Sequence, residues 1–423
     1  MTETNSAPDW NFHPERDAIT AETHARPASA ISSPAEVLHL AFRCEEEVAY
    51  KFFEIVEGQK FESFPRHLTG TVDKLKVKLE RHTEFMSCTV FLELEGRKDT
   101  SDIASMVFDT FPVAEVEILV LLHLSLVRSA SAMLKIMPLD QRIYGGRMRS
   151  GIDVRSSFVP DESGAIRFSL FGKSLTSEEF GRRLQRILEM ETYRTMSLLG
   201  LPVARRVSSE LSTVEQELEE LTTSLRQNNN TSPAEDEKVF AHLSDLSEKT
   251  NMLLTETRYR FAASRAYFTL FQQRVESLEE EKVGDVQTMS GFLRSRLEPA
   301  MATIESTAKR QETLTNDLSR ALLLLRTRIE LNLNKGNQAL LQSMDKRHLQ
   351  QLKISQTVEG LSVVAITYYA VGLISHFFKA LANQPWMPLS TTMLTAISVP
   401  FVLLIVWRSL HRLRKAWEEH RSQ

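Results

Sequence analysis

"TVEGLSVVAITYYAVGLISHFF", Thr357 to Phe378, decides how the rest of the chain is read. From Leu361 to Phe378 it contains no Asp, Glu, Lys or Arg, and an apolar run of about 18 residues is long enough to cross a hydrocarbon core as a helix. After the connector "KALANQPWMPLS" a second run, Thr391 to Trp407, repeats the composition. Together they predict a transmembrane hairpin over residues 357–408, with helices at 361–378 and 391–407. Pro400 is tolerated in a membrane helix whose neighbours satisfy the freed carbonyl.

The flanks set the orientation. Lys346, Arg347 and Lys353 precede the first run, Arg408, Arg412, Arg414 and Lys415 follow the second, and Lys379 alone lies in the connector. Basic residues stay on the cytoplasmic side, so both termini are expected there, with residues 409–423 a basic tail. Trp386 and Trp407 suit interfacial positions. At about 100° per residue, Glu359, Ser362, Tyr369 and His376 fall on one third of the first helix, with Ile366 and Leu373 between them. Polar groups in hydrocarbon turn toward a bundle interior or a wet cavity. These four are the candidate pore-lining or bundle-facing residues.

Upstream, residues 206–356 are rich in Leu, Glu, Gln, Lys and Arg. Breaks at "RQNNNTSPAEDE" and "EEEKVGDV" divide the region into two or three long helices. Apolar or small residues at Leu297, Met301, Ile304, Ala308, Leu318, Leu322, Leu325, Ile329, Leu333, Leu340 and Met344 recur every three or four positions, the stripe of a coiled-coil-like helix. Unbroken from Pro299 to Gln356, it would run ~85 Å into the membrane.

The N-terminal region, residues 35–205, reads as an α+β domain with a largely antiparallel sheet, preceded by an extended arm, residues 1–34. "PAEVLHLAFRCEEEVAYKFFEIVE" repeats apolar positions at helical spacing. Leu75, Val77 and Leu79 alternate with lysines, and Thr89 to Glu95 is rich in strand formers, predicting a hairpin turning at Arg81 to Glu84. "VEILVLLHLSLV" fits either a strand or a buried helix. "GIDVRSSFVPDESGAIRFSLFG" predicts a second hairpin turning at Pro160 to Gly164. Thr176 with Glu179 forms a capping box opening a helix that stops near Gly200 and Pro202.

The chemistry is less legible. A net charge of -4 and a pI near 6.3 argue against nucleic acid as a partner. Cys44 and Cys88 are the only cysteines, too few for a disulfide framework and in keeping with a reducing compartment. The first thirty residues lack the apolar core of a secretory signal. No nucleotide loop, zinc-protease motif, paired CxxC or nucleophile elbow occurs, so the expectation is a non-enzyme, and no cofactor or metal is implied. "YGGRMRSG", Tyr144 to Gly151, reads as an exposed loop. Glu22, His24 and Arg26 alternate along "ETHARP" and face one side of an extended chain, either as a ligand cluster or as pins for the arm.

"HPERDAITAETHARP", "LEMETYRTMSLLGLPVAR", "AASRAYF", "LLRTRIELNLNKGNQALLQSMDKR" and "QTVEGLSVVAITYYAVGL" resemble the bacterial family known as domain of unknown function 3422. The resemblance implies a membrane-anchored protein of the bacterial inner membrane and carries no activity with it. The plan of cytoplasmic domain, long helices and two C-terminal spans looks like that of CorA-type cation channels, which are homo-oligomers. Their Gly-Met-Asn triplet is missing from "GLISHFFKALANQPWMP". The expectation is a homo-oligomeric channel or transporter for an ion or small solute, gated by its cytoplasmic domain. The alternative is a membrane-anchored scaffold or tether that recruits a cytoplasmic protein partner.

Overall fold

A computed structural model describes residues 11–22, 28–58, 66–94, 102–136, 141–172, 176–227, 232–381 and 390–421. The chain divides into two units, Met1–Thr231 with Glu237–Leu322, and Ser232–Asp236 with Leu323–Gln423.

The first unit is built on a mixed nine-stranded sheet. In chain order its strands are β1 (Ala35–Arg43), β2 (His67–Val72), β3 (Leu75–Arg81), β4 (Met86–Glu93), β5 (Glu117–Leu126), β6 (Arg147–Met148), β7 (Ile152–Pro160), β8 (Ile166–Gly172) and β9 (Glu280–Glu281). Across the sheet they run β2-β3-β4-β1-β5-β8-β7-β6-β9. Every pairing is antiparallel except β5 with β8. Both expected hairpins, β3–β4 and β7–β8, are present.

The helices are α1 (Arg16–Glu22), α2 (Glu46–Glu57), α3 (Ile103–Thr110), α4 (Ala130–Ile136), α5 (Ser177–Leu198), α6 (Gly200–Gln227), α7 (Pro233–Leu278), α8 (Met289–Leu381) and α9 (Thr391–Arg421). On one sheet face Phe52, Phe53, Val107 and Phe111, from α2, α3 and the residue after it, pack on Leu40, Phe42, Val77, Leu79 and Val90. On the other face Leu184, Ile187 and Met190 of α5, Phe271 and Val275 of α7 and Leu293 and Leu297 of α8 cover Val37, Leu122, Leu124, Phe168 and Leu170. Near the Gly200 end of α6, Ala204, Phe261, Met301 and Ile304 close a smaller core with α7 and α8. Arg310 of α8 ties that bundle by ion pairing with Glu215 of α6 at 2.7 Å.

Three expectations change. Ala35 to Arg43 is a strand, and only Glu46 to Glu57 is helical. Helices cover both faces of β1, so its residues are buried almost without alternation and its pattern loses the period of two. The break at Gly200 is a single residue, Leu199, between α5 and α6. Pro202 is tolerated because it sits in the first turn of α6, where its missing N–H would find no helical partner. Finally, α8 starts ten residues before Pro299, which lies inside it. The capping box at Thr176 and Glu179 forms as expected, and "EEEKVGDV" separates α7 from α8.

In the second unit, Asp236 at the start of α7 is 1% exposed and lies 3.6 Å from Arg328 of α8. From Leu323 onward α8 exposes Leu324, Leu331, Leu333, Leu340, Leu341, Met344, Leu349 and Leu352. Its last stretch, and α9 from Thr392 to Ser409, are long and apolar enough to cross a membrane and are largely exposed.

Candidate functional site

The apolar ends of α8 and α9 each have one shielded line. In α8 it runs through Val363, Thr367, Ala370, Ile374 and Phe378, and in α9 through Leu394, Ser398, Val402 and Val406. Spacings of three and four residues keep each line on one side of its helix. Thr367 marks the centre of the first at 6% exposure, whereas Tyr369 is 72% exposed. At 100° per residue, Tyr369 and His376 point within about 20° of directly away from Thr367.

The sequence-predicted stripe is thereby located. Tyr369 and His376 are exposed, and Glu359 and Ser362 are half-buried. The groups are brought onto one face of the helix. Ser362 Oγ donates to the carbonyl oxygen of Val358 at 2.8 Å, and His376 Nδ1 lies 2.8 Å from that of Gly372. Such bonds to the preceding turn let polar side chains sit on an apolar helix without an unpaired donor.

Of the second predicted cluster, Glu22 ends α1, but its side chain, His24 and Arg26 lie outside the described residues. The arm that follows is held against the domain by its backbone. The Ile31 amide donates to the Ser177 carbonyl at 3.1 Å, and Lys76 Nζ donates to the Ala30 carbonyl at 3.3 Å. Gly181 permits this approach, since a Cβ there would stand 2.0 Å from the carbonyl oxygen of Ser29.

"YGGRMRSG" is not an exposed loop. Gly145 and Gly146 are buried, and Cβ atoms on them would collide with the carbonyl oxygens of Val154 and Glu281. Its arginines are occupied, Arg147 by Asp153 at 2.7 Å and Arg149 by Glu279 at 3.2 Å. The glycines make room for β6 to reach β9.

Sequence reasoning missed one polar centre. Fully buried His39 on β1 contacts Thr89 Oγ1 through Nδ1 at 2.8 Å and Thr192 Oγ1 through Nε2 at 3.1 Å. Thr192 donates its only hydroxyl proton to the Leu188 carbonyl, so it accepts from His39 Nε2–H, and Nδ1 accepts from Thr89. Burial first, then the neighbouring His82 and Lys78, push the His39 pKa down to about 3. The imidazole is neutral. Beside it, Lys78 pairs with Glu80 at 3.2 Å, and the cavity lined by these groups and Ser87 is about 30 Å³, room for one or two waters. The available signal was a lone histidine in an apolar run, which gives no hint of partners 50 and 153 residues away.

Among the described residues no group of three or more His, Cys, Asp or Glu could hold a metal ion. The family described as Protein of unknown function (DUF3422) matches residues 11–417, and the chain belongs to that family. No curated protein matches the sequence.

Proposed function

We propose that this is a bacterial inner-membrane protein with both termini in the cytoplasm, assembled from several copies around the polar face of its first span. In this reading the assembly passes an ion or small solute, and the sheet-containing unit controls it from the cytoplasm. The observation that carries the reading is the opposition of Thr367 and Tyr369 on α8. The shielded side of the span is the side away from the tyrosine and the imidazole. A lone hairpin would leave both facing lipid, which is costly for polar groups. A second copy removes that cost. The exposed leucines between Leu324 and Leu352 support the same assembly, since an isolated helix gains nothing by displaying them to water.

The test is the oligomeric state of the detergent-extracted protein, combined with single cysteines at Tyr369 and Val371. About 160° separates them around the helix. The reading expects a closed ring in which the Tyr369→Cys variant cross-links between copies and the Val371→Cys variant does not. Glu359→Ala and His376→Ala are then expected to change solute flux in proteoliposomes. A monomer would leave the hairpin as an anchor and favour a scaffold for a cytoplasmic partner.

A further inference from the structure

His376 differs from the other polar groups on its face. A backbone carbonyl can only accept, so the 2.8 Å contact with Gly372 fixes the proton on Nδ1. Nε2 therefore presents its lone pair, and no described residue meets it. Metal-binding histidines are commonly held in this way: one ring nitrogen donates to a backbone carbonyl, which fixes the tautomer and strengthens the other nitrogen as a ligand.

The position fits the chemistry. His376 follows Glu359 by 17 residues, or ~26 Å along a helix, so carboxylate and imidazole stand at opposite ends of a bilayer-thick segment. Lys379 lies one turn beyond, and its long stem can carry the ammonium into the headgroup layer. Imidazole nitrogen suits borderline divalent transition metals, whereas Mg²⁺ prefers oxygen ligands and retains its waters.

Building on the assembly proposed above, we infer that the Nε2 atoms of His376 from neighbouring copies form a nitrogen-lined ring at the outer end of the first span. This ring binds a divalent transition-metal ion of the Zn²⁺ class. One ligand per chain is too few for a metal shell, so the site exists only in the oligomer and holds less than one ion per chain.

The experiment titrates ZnCl₂ into the full chain in lipid nanodiscs with any affinity tag removed. Bound zinc is counted, and native mass spectrometry gives the number of copies. The expected result is saturable binding below one ion per chain, weakened at least tenfold in His376→Ala, unchanged in His348→Gln on the exposed stretch of α8 and insensitive to a hundredfold excess of MgCl₂. Should His376→Ala fail to assemble, His376→Gln keeps the size of the side chain and is read instead. An intact oligomer whose His376 variants bind zinc like the wild type overturns the inference and leaves the assembly standing. Equal displacement by Mg²⁺ overturns it too. A monomer overturns the assembly, and the ring with it.

Discussion

Gln311 of α8 meets Thr257 of α7 inside the helical bundle, both fully buried, with Thr257 Oγ1 3.1 Å from the Gln311 side-chain oxygen. The threonine has one proton, and the Leu253 carbonyl is closer, at 2.9 Å. The amide is therefore better satisfied with its nitrogen toward Thr257. In either orientation half of the amide is left unpaired, as the Gln311 nitrogen is in the recorded one.

An unpaired buried polar atom costs about 1–3 kcal/mol. Gln311→Leu, which removes it at similar volume, is expected to raise the unfolding midpoint of the full chain in detergent. Gln311→Ala leaves a void and is expected to lower it. A lower midpoint for both would mean that the amide finds a partner such as an ordered water.

Gly181 gives a sharper expectation. Because a Cβ there would press on the Ser29 carbonyl, Gly181→Ala should lift the arm from α5. The readout is hydrogen exchange at the Ile31 amide, now bonded to Ser177. Exchange should speed at Ile31 and stay unchanged at the amides of β4, at a stability cost of roughly 1–3 kcal/mol.

His39 sets a pH dependence. Its pKa is about 3 in the fold against about 6.5 in the unfolded chain, so the unfolded state takes up the proton first as pH falls. The contribution of the neutral imidazole is fully present above pH ~6.5 and is lost progressively down to pH ~3, at no more than ~1.4 kcal/mol per pH unit. Denaturant midpoints at pH 7 and pH 5 should differ by more in the wild type than in His39→Gln. Equal differences would assign the acid sensitivity to other groups.

How far this fold is legible in the sequence depends on how local its causes are. The Thr176 cap and the Asp161 turn are settled by residues two to six positions apart. Burial would raise the Asp161 pKa, but bonds from Ser163, Arg167 and the amides of Ala165 and Ser163 hold it at about 2. β1 has the apolar spacing of a helix, and the strands that pair with it, β4 and β5, and the helices that cover its two faces all come later in the chain. β9 consists of two glutamates with no strand signal, placed by pairing with β6. The face of Tyr369 and His376 could be drawn from helical periodicity alone. That this face opposes the shielded line could not, because the line depends on packing within the second unit.

Those two glutamates lead to the last expectation. Glu280 accepts from the Met289 amide and from the Ser290 amide, each at 2.8 Å, so a carboxylate from the sheet caps the first turn of α8. The glycine-rich segment Tyr144 to Gly151 lies beside this pair, and the anion at the helix start belongs to the chain itself. A carboxylate there satisfies two donors that lack helical partners and complements the positive end of the helix dipole. Glu280→Ala should therefore cost about 1–2 kcal/mol and speed exchange at the Met289 and Ser290 amides. Glu281→Ala, on the neighbouring residue, should leave both unchanged. Equal effects from the two substitutions would show that pairing of β9 with β6, and not the cap, holds the start of α8.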